Sequence, residues 1–130
     1  MYEASKEAIA TPEQFKKALL VLRDKNLPES HFVMLRAQCR AAGSAITATQ
    51  LAAVAKYENY NAANLQYGTL AFNLASALGF LPAIKHDDGS PCWWTTLSYA
   101  DEGQTEEGTG HFQFIMRPEV VQALREMRWA

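Results

Sequence analysis

The sequence predicts an α+β, mostly helical fold with a winged-helix-like core, and three observations lead to that prediction. Capping-box patterns at Thr11 and Thr47 each predict the start of a helix. Residues 46–80 indicate a short helix, a tight turn and a longer helix, the arrangement of a helix-turn-helix. Two later segments rich in aromatic and β-branched residues indicate a two-stranded hairpin. Two extra N-terminal helices and a C-terminal helix complete the prediction.

Two helices are expected before the helix-turn-helix. The first begins after Thr11 and ends near Asn26, because apolar residues recur there at helical spacing and a proline follows. The second is expected over residues 28–42, with Gly43 in the position of a helix C-cap. Arg36 and Arg40 lie four residues apart on it and share a face.

The helix-turn-helix follows a short extended segment. The spacing predicts a helix over 48–56, a turn over 57–60 and a second helix over 62–78 capped by Asn61. Gly79 is expected to end this second helix. Gly68 inside it costs about 1 kcal/mol relative to Ala, and close packing of another element would explain it.

The C-terminal third predicts a hairpin and a last helix. The expected strands cover residues 92–99 and 111–116, with Phe112, Phe114 and Met116 on one face of the second. On strand periodicity, Trp93 and Trp94 would point to opposite faces of the first. Residues 44–116 thus form the winged-helix-like core of a single domain over 1–130, and residues 1–10 form a loose lead-in. Pro118 opens the last helix.

Composition indicates a soluble, cytoplasmic protein. The net charge is −2 and the pI about 5.9, so no overall basic charge favours nucleic acid. Cys39 and Cys92 are far apart and too few for a zinc site, which favours reduced thiols. No segment reaches the roughly 18 apolar residues of a membrane span, and the N-terminal residues lack the apolar region of a signal peptide.

The second helix of the helix-turn-helix carries the candidate nucleic-acid site. Its first turns contain Asn and Gln side chains that can bond the adenine edge and a Tyr that can bond phosphate. No Lys or Arg occurs between Tyr57 and Phe80, so cations would have to come from neighbouring helices. The alternative is a plain solvated helix surface. The predicted DNA-binding residues are Asn61, Asn64, Gln66, Tyr67, Lys56, Arg36 and Arg40.

Two further features leave alternatives open. The expected wing tip contains four acids that would repel phosphate: Asp101, Glu102, Glu106 and Glu107. Three alternatives remain: the wing points away from DNA, its tip contacts a basic protein partner, or the tip is only a solubilising loop. The sequence His86-Asp87-Asp88 suggests a metal or acid–base cluster, but adjacent loop residues do not all converge on one ion. No nucleophile motif or phosphate-binding loop is present, so we expect no enzyme, no metal and no cofactor.

The central segment also resembles a known family. The run Asn64-Leu65-Gln66-Tyr67-Gly68, the earlier Tyr57, Asn59 and Tyr60, and the closing Met116-Arg117-Pro118 are similar to the accessory domain associated with McrA-like HNH restriction endonucleases. The similarity covers roughly residues 30–130. It implies a DNA-associated or defence-associated module, found ahead of a nuclease or alone. The chain has no His-Asn-His nuclease segment, so cleavage is not implied.

Three functional hypotheses follow from these patterns. The first is a non-catalytic module that binds double-stranded DNA weakly through the second helix of the helix-turn-helix. The second is a protein-interaction or self-association module that keeps the fold and uses a surface at Trp94 or Tyr67. A third, an enzyme that uses His86 and its neighbouring aspartates, is the least supported.

Overall fold

The computed structural model describes residues 7–100 and 110–130 and confirms an α+β, mostly helical fold. Within those residues, no helix is both long and apolar enough to cross a lipid bilayer. The helices and strands are α1 Pro12–Asp24, α2 Glu29–Arg40, β1 Ala45–Thr47, α3 Ala48–Ala55, α4 Tyr60–Leu78, β2 Ser98–Tyr99, β3 Gln113–Met116 and α5 Pro118–Glu126.

Local sequence signals fix where α1 and α3 begin. The Thr11 hydroxyl accepts from the Gln14 amide while the Gln14 side chain accepts from the Thr11 amide. Thr47 and Gln50 form the same reciprocal pair at α3. Both predicted capping boxes are therefore confirmed, because each satisfies amides that the first helical turn leaves unpaired.

The start of α4 differs from the prediction. Asn59, rather than Asn61, is the N-cap, and its Oδ1 accepts from the Ala62 amide at 2.9 Å. Lys56 ends α3 in a left-handed conformation that turns the chain early, so α4 begins at Tyr60. Its other end is as expected, since Gly79 closes it with a φ of 75°.

The three strands form one antiparallel sheet in the order β1-β3-β2. Ile46 pairs with Phe114 on one side of β3, and Tyr99 pairs with Ile115 on the other. The predicted alternation at the C-terminal strand is confirmed: Phe112, Phe114 and Met116 are all buried. The hairpin prediction holds for the paired residues of β2 and β3, and the intervening residues 101–109 lie outside the described structure.

The predicted strand over 92–99 is wrong in its first half. Residues Trp93–Thr96 form a 3-10 turn, and only Ser98–Tyr99 is extended. Thr95 bonds the Cys92 carbonyl through both its amide and its hydroxyl, the latter at 2.7 Å. These local bonds hold the turn, which packs against α4. Strand periodicity therefore does not apply to the two tryptophans.

A closed hydrogen-bond ring lies inside the core and joins four elements. Tyr67 on α4 donates to Gln38 Oε1 on α2 at 2.7 Å, and its hydroxyl lies 2.6 Å from Ser98 Oγ on β2. Gln38 Nε2 donates to Ser98 Oγ at 2.9 Å and to the Phe114 carbonyl on β3 at 3.1 Å. All three side chains are fully buried, so each needs these partners. We name Tyr67, Gln38 and Ser98 the polar ring.

Replacing Tyr67 with Phe should destabilise the fold by about 1–3 kcal/mol, because Gln38 and Ser98 would each lose a buried partner. Urea unfolding followed by circular dichroism measures the change. Tyr57→Phe is the matched control, since the Tyr57 hydroxyl bonds Ser30 at a partly buried site and should cost less. Equal losses of unfolding free energy in the two variants would show that the polar ring stabilises the fold no more than a partly buried hydrogen bond does.

The polar ring also predicts a loss of stability in alkali. Burial raises the pKa of Tyr67 above that of an exposed tyrosine. Above pH of about 10 the unfolded chain releases this proton and the native chain keeps it, so unfolding becomes more favourable as pH rises. Wild-type stability should fall more steeply between about pH 9.5 and 11 than that of Tyr67→Phe. Parallel slopes would contradict a protonated Tyr67 in the native state.

Candidate interaction surface

The predicted DNA-binding residues do not form one surface, and Tyr67 is the clearest correction. It is 0% exposed, and its hydroxyl is held in the polar ring. Its ring stacks on Phe114, with 4.8 Å between centroids. A phosphate cannot reach this hydroxyl while α4 stays packed. The prediction that Tyr67 contacts DNA or a protein partner is therefore wrong.

The polar side chains of α4 have different surroundings. Gln66 is committed to the interior, because its Oε1 accepts from Nε2 of the buried His31 at 2.8 Å. Asn64 is half-buried, whereas Asn61 and Lys56 are exposed. Only Asn61 and Lys56 of the predicted set are therefore both exposed and close to the start of α4.

The two arginines of α2 lie away from α4. Arg36 lies about 140° around α2 from His31, which bonds Gln66 of α4. The Arg36 Nε donates to the Trp129 carbonyl at 3.2 Å, and its guanidinium lies 5.3 Å from the centroid of the Phe32 ring. Arg40 is exposed one turn further along. Arg36 and Arg40 therefore do not provide the positive charge that we expected beside α4.

Two of the three cations of α1 are paired with acids. Lys16 bonds Glu126 of α5 and lies 2.8 Å from Glu13. These bonds raise the pKa of Lys16, and the Lys16 bond lowers the pKa of Glu126. Arg23 pairs with the adjacent Asp24 at 3.1 Å. The pairs tie α1 to α5 or stay local, so they build no positive groove beside α4.

The His86-Asp87-Asp88 segment forms a turn. Asp88 Oδ1 accepts from the Ser90 amide at 2.9 Å and from its hydroxyl at 2.6 Å, and these bonds lower the pKa of Asp88. In the described residues, no three His, Cys, Asp or Glu side chains converge as metal ligands would. The acids Asp101, Glu102, Glu106 and Glu107 lie outside the described residues.

The exposed side of α4 carries no charge and includes two large apolar side chains. Leu65 is 69% exposed and Phe72 46%, and both lie about 140–160° around the helix from the buried Tyr67. Between and beyond them, the hydroxyls of Thr69 and Ser76 donate to main-chain carbonyls of α4 itself. We name this surface the α4 outer stripe; its members are Asn61, Leu65, Thr69, Phe72 and Ser76.

The sequence contains a signal for the outer stripe that our interpretation missed. Leu70 and Leu74 fix the core side of α4, and Leu65 and Phe72 fall outside that stripe on the helical wheel. Two large apolar residues seven positions apart share the outer side of the helix, which makes this side a candidate contact surface. Trp94, predicted as an exposed contact, is instead 6% exposed and packs against Phe112 and Phe114.

A partly enclosed cavity of about 170 Å³ lies beside the outer stripe. Phe72 links the two, because its ring meets Trp93, on the cavity wall, edge-on with 4.8 Å between centroids. A side-chain carbon added at Gly68 would meet no other atom within 4 Å. The predicted close packing at Gly68 is therefore wrong, and the glycine leaves space open on the cavity wall. The cavity is lined by Asn64, Tyr67, Gly68, His86, Pro91, Trp93, Trp94 and Phe114.

No protein-family model, curated protein or solved structure matches the chain. The similarity to the accessory domain of restriction endonucleases therefore stays a prediction from residues. Function has to be inferred from the outer stripe, the cavity and the placement of charge.

Replacing Gly68 with Ala should stabilise the protein by about 0.5–1 kcal/mol, because alanine is the better helix former and its methyl group meets open space. Urea unfolding measures the shift. Gly79→Ala is the matched control and should destabilise, since φ at Gly79 is 75°. A loss of stability in Gly68→Ala would show that the cavity wall is tighter than the structure indicates.

Proposed function

We propose that this chain is a non-catalytic interaction module with a winged-helix-like core, and that its α4 outer stripe binds a second copy of the chain. The observation that carries the proposal is the exposure of Leu65 and Phe72 on an uncharged helix face. In a helix-turn-helix that face would contact DNA.

The order of elements supports the winged-helix part of the proposal. The short strand β1 precedes α3 and α4, which are joined by a four-residue turn, and the β2–β3 strands follow. β1 pairs with β3, so the sheet closes the helix pair from one side in the order β1-β3-β2. This order supports a winged-helix-like core, in which a short strand precedes a helix-turn-helix and a wing follows it.

Charge favours a protein partner over nucleic acid. Phosphate contacts by Lys and Arg supply most nonspecific affinity for DNA, and the outer stripe contains neither. A second copy suits the surface for a related reason. In a two-fold dimer the same patch faces itself, so a charged patch would repel its copy and an uncharged one does not.

The size of the outer stripe sets the expected strength. Stable interfaces bury about 800 Å² on each partner, more than a few side chains on one helix provide. Leu81 is 71% exposed just beyond the end of α4, and it can extend the apolar area. We therefore expect a weak, concentration-dependent dimer.

A second candidate, weak association with double-stranded DNA, is favoured by the exposed Asn61 and Lys56 next to the start of α4. Asn can bond base edges and Lys can bond phosphate. This candidate also agrees with the resemblance to a restriction-associated domain. DNA binding would depend on the single nearby cation among the described residues, Lys56, so this candidate is less well supported than self-association.

Substitutions at Leu65 distinguish self-association from DNA binding. A Lys and a Glu at this position should change the affinity for DNA in opposite directions, but both should weaken an apolar contact between two copies. Sedimentation equilibrium over a wide range of protein concentrations should show a dimer for wild type and weaker association, by about tenfold or more, for both Leu65→Lys and Leu65→Glu. Leu65 is mostly exposed, so neither variant should unfold.

Fluorescence anisotropy with a labelled duplex at low salt provides the other measurement. If DNA is the ligand, Leu65→Lys should bind more tightly than wild type and Leu65→Glu more weakly. Leu20→Glu, on the partly exposed side of α1, is the matched control and should leave self-association unchanged.

A strictly monomeric wild type at millimolar concentration would refute self-association.

A further inference from the structure

The cavity beside α4 has the size of a small-ligand site. A cavity of about 150 Å³ in a protein core accepts one benzene ring. The cavity here is about 170 Å³, close to that figure. A single six-membered ring therefore matches the space, whereas a large fused ring system does not.

The wall of the cavity selects for an aromatic ligand. Its rings come from three elements: Tyr67 on α4, Trp93 and Trp94 on the 3-10 turn, and Phe114 on β3. Aromatic pairs gain about 0.5–1.5 kcal/mol beyond the burial of area. None of the described residues that line the cavity is Asp or Glu, so a cationic ligand would find no opposite charge there.

Gly68 keeps the space open. A glycine inside a helix lowers stability relative to alanine, and no neighbour here requires its small size. A longer side chain at this position would project into the cavity from α4. Empty space therefore persists at a position where a more stabilising residue would fit.

Asn64 gives the cavity a polar contact. It lies one turn before Gly68 on the same side of α4, and the described residues offer its carboxamide no hydrogen-bond partner. An amide can donate and accept, so it can bond a hydroxyl or an amide on the ligand. The geometry points to a binding site for one uncharged aromatic ring that bears a hydrogen-bonding group.

This site is independent of the dimer proposal, because it stands on the cavity rather than on the outer stripe. Titration of the isolated chain with p-cresol, monitored by ¹H–¹⁵N NMR, tests it. The indole N–H signals of Trp93 and Trp94 should shift and saturate. The Trp129 signal should stay unchanged, because that ring packs on Phe32 elsewhere.

Three variants define the site. Gly68→Leu should abolish the saturable shifts by filling the cavity. Thr69→Leu places the same leucine side chain on the outer stripe, outside the cavity, and should keep the shifts. Wild type should bind p-cresol about tenfold more tightly than toluene, which lacks the hydroxyl. Asn64→Leu should remove that preference and keep the cavity.

N-acetyl-tyrosine amide identifies where the ring comes from. If it binds as well as p-cresol, the site accepts a tyrosine side chain of another protein segment. If only p-cresol binds, the natural ligand is a free small molecule. Absence of saturation for both, or equal shifts in Gly68→Leu and wild type, would overturn the proposal.

Discussion

The fold depends on the polar ring of Tyr67, Gln38 and Ser98. Its hydrogen bonds connect α4, α2 and β2, and Gln38 extends them to the main chain of β3. If the Ser98 hydroxyl donates to Tyr67, each of the three side chains both donates and accepts within the ring. Buried polar groups of this kind must be satisfied together, so they admit only one rotation of α4 against the sheet.

That rotation determines which residues of α4 meet solvent. With Tyr67 at the core and its ring stacked on Phe114, Asn64 and Gly68 turn toward the aromatic cavity. Leu65 and Phe72 then lie on the outer side. The cavity and the outer stripe are thus two consequences of one constraint, and they are joined where Phe72 meets Trp93.

The placement of charge favours the proposed protein contact over strong DNA binding. Lys16 and Arg23 are paired with acids, and Arg36 is held beside Phe32 and the Trp129 carbonyl. The face that a helix-turn-helix would present to the major groove has no Lys or Arg and exposes Leu65 and Phe72. An uncharged face can bury apolar area against protein without desolvating a cation, which favours the interaction proposal.

The sequence by itself determined the local structure. It predicted the caps at Thr11 and Thr47, the end of α4 at Gly79, and the buried alternation of Phe112, Phe114 and Met116, because these depend on neighbours in the chain or on simple periodicity. Tertiary structure decided the rest. It buried Tyr67 and placed Gln66 against His31, and the partners of both side chains are distant in sequence, so no local pattern specifies them. At Trp93, bonds from Thr95 to the Cys92 carbonyl hold a 3-10 turn, and packing against α4 takes the place of strand pairing.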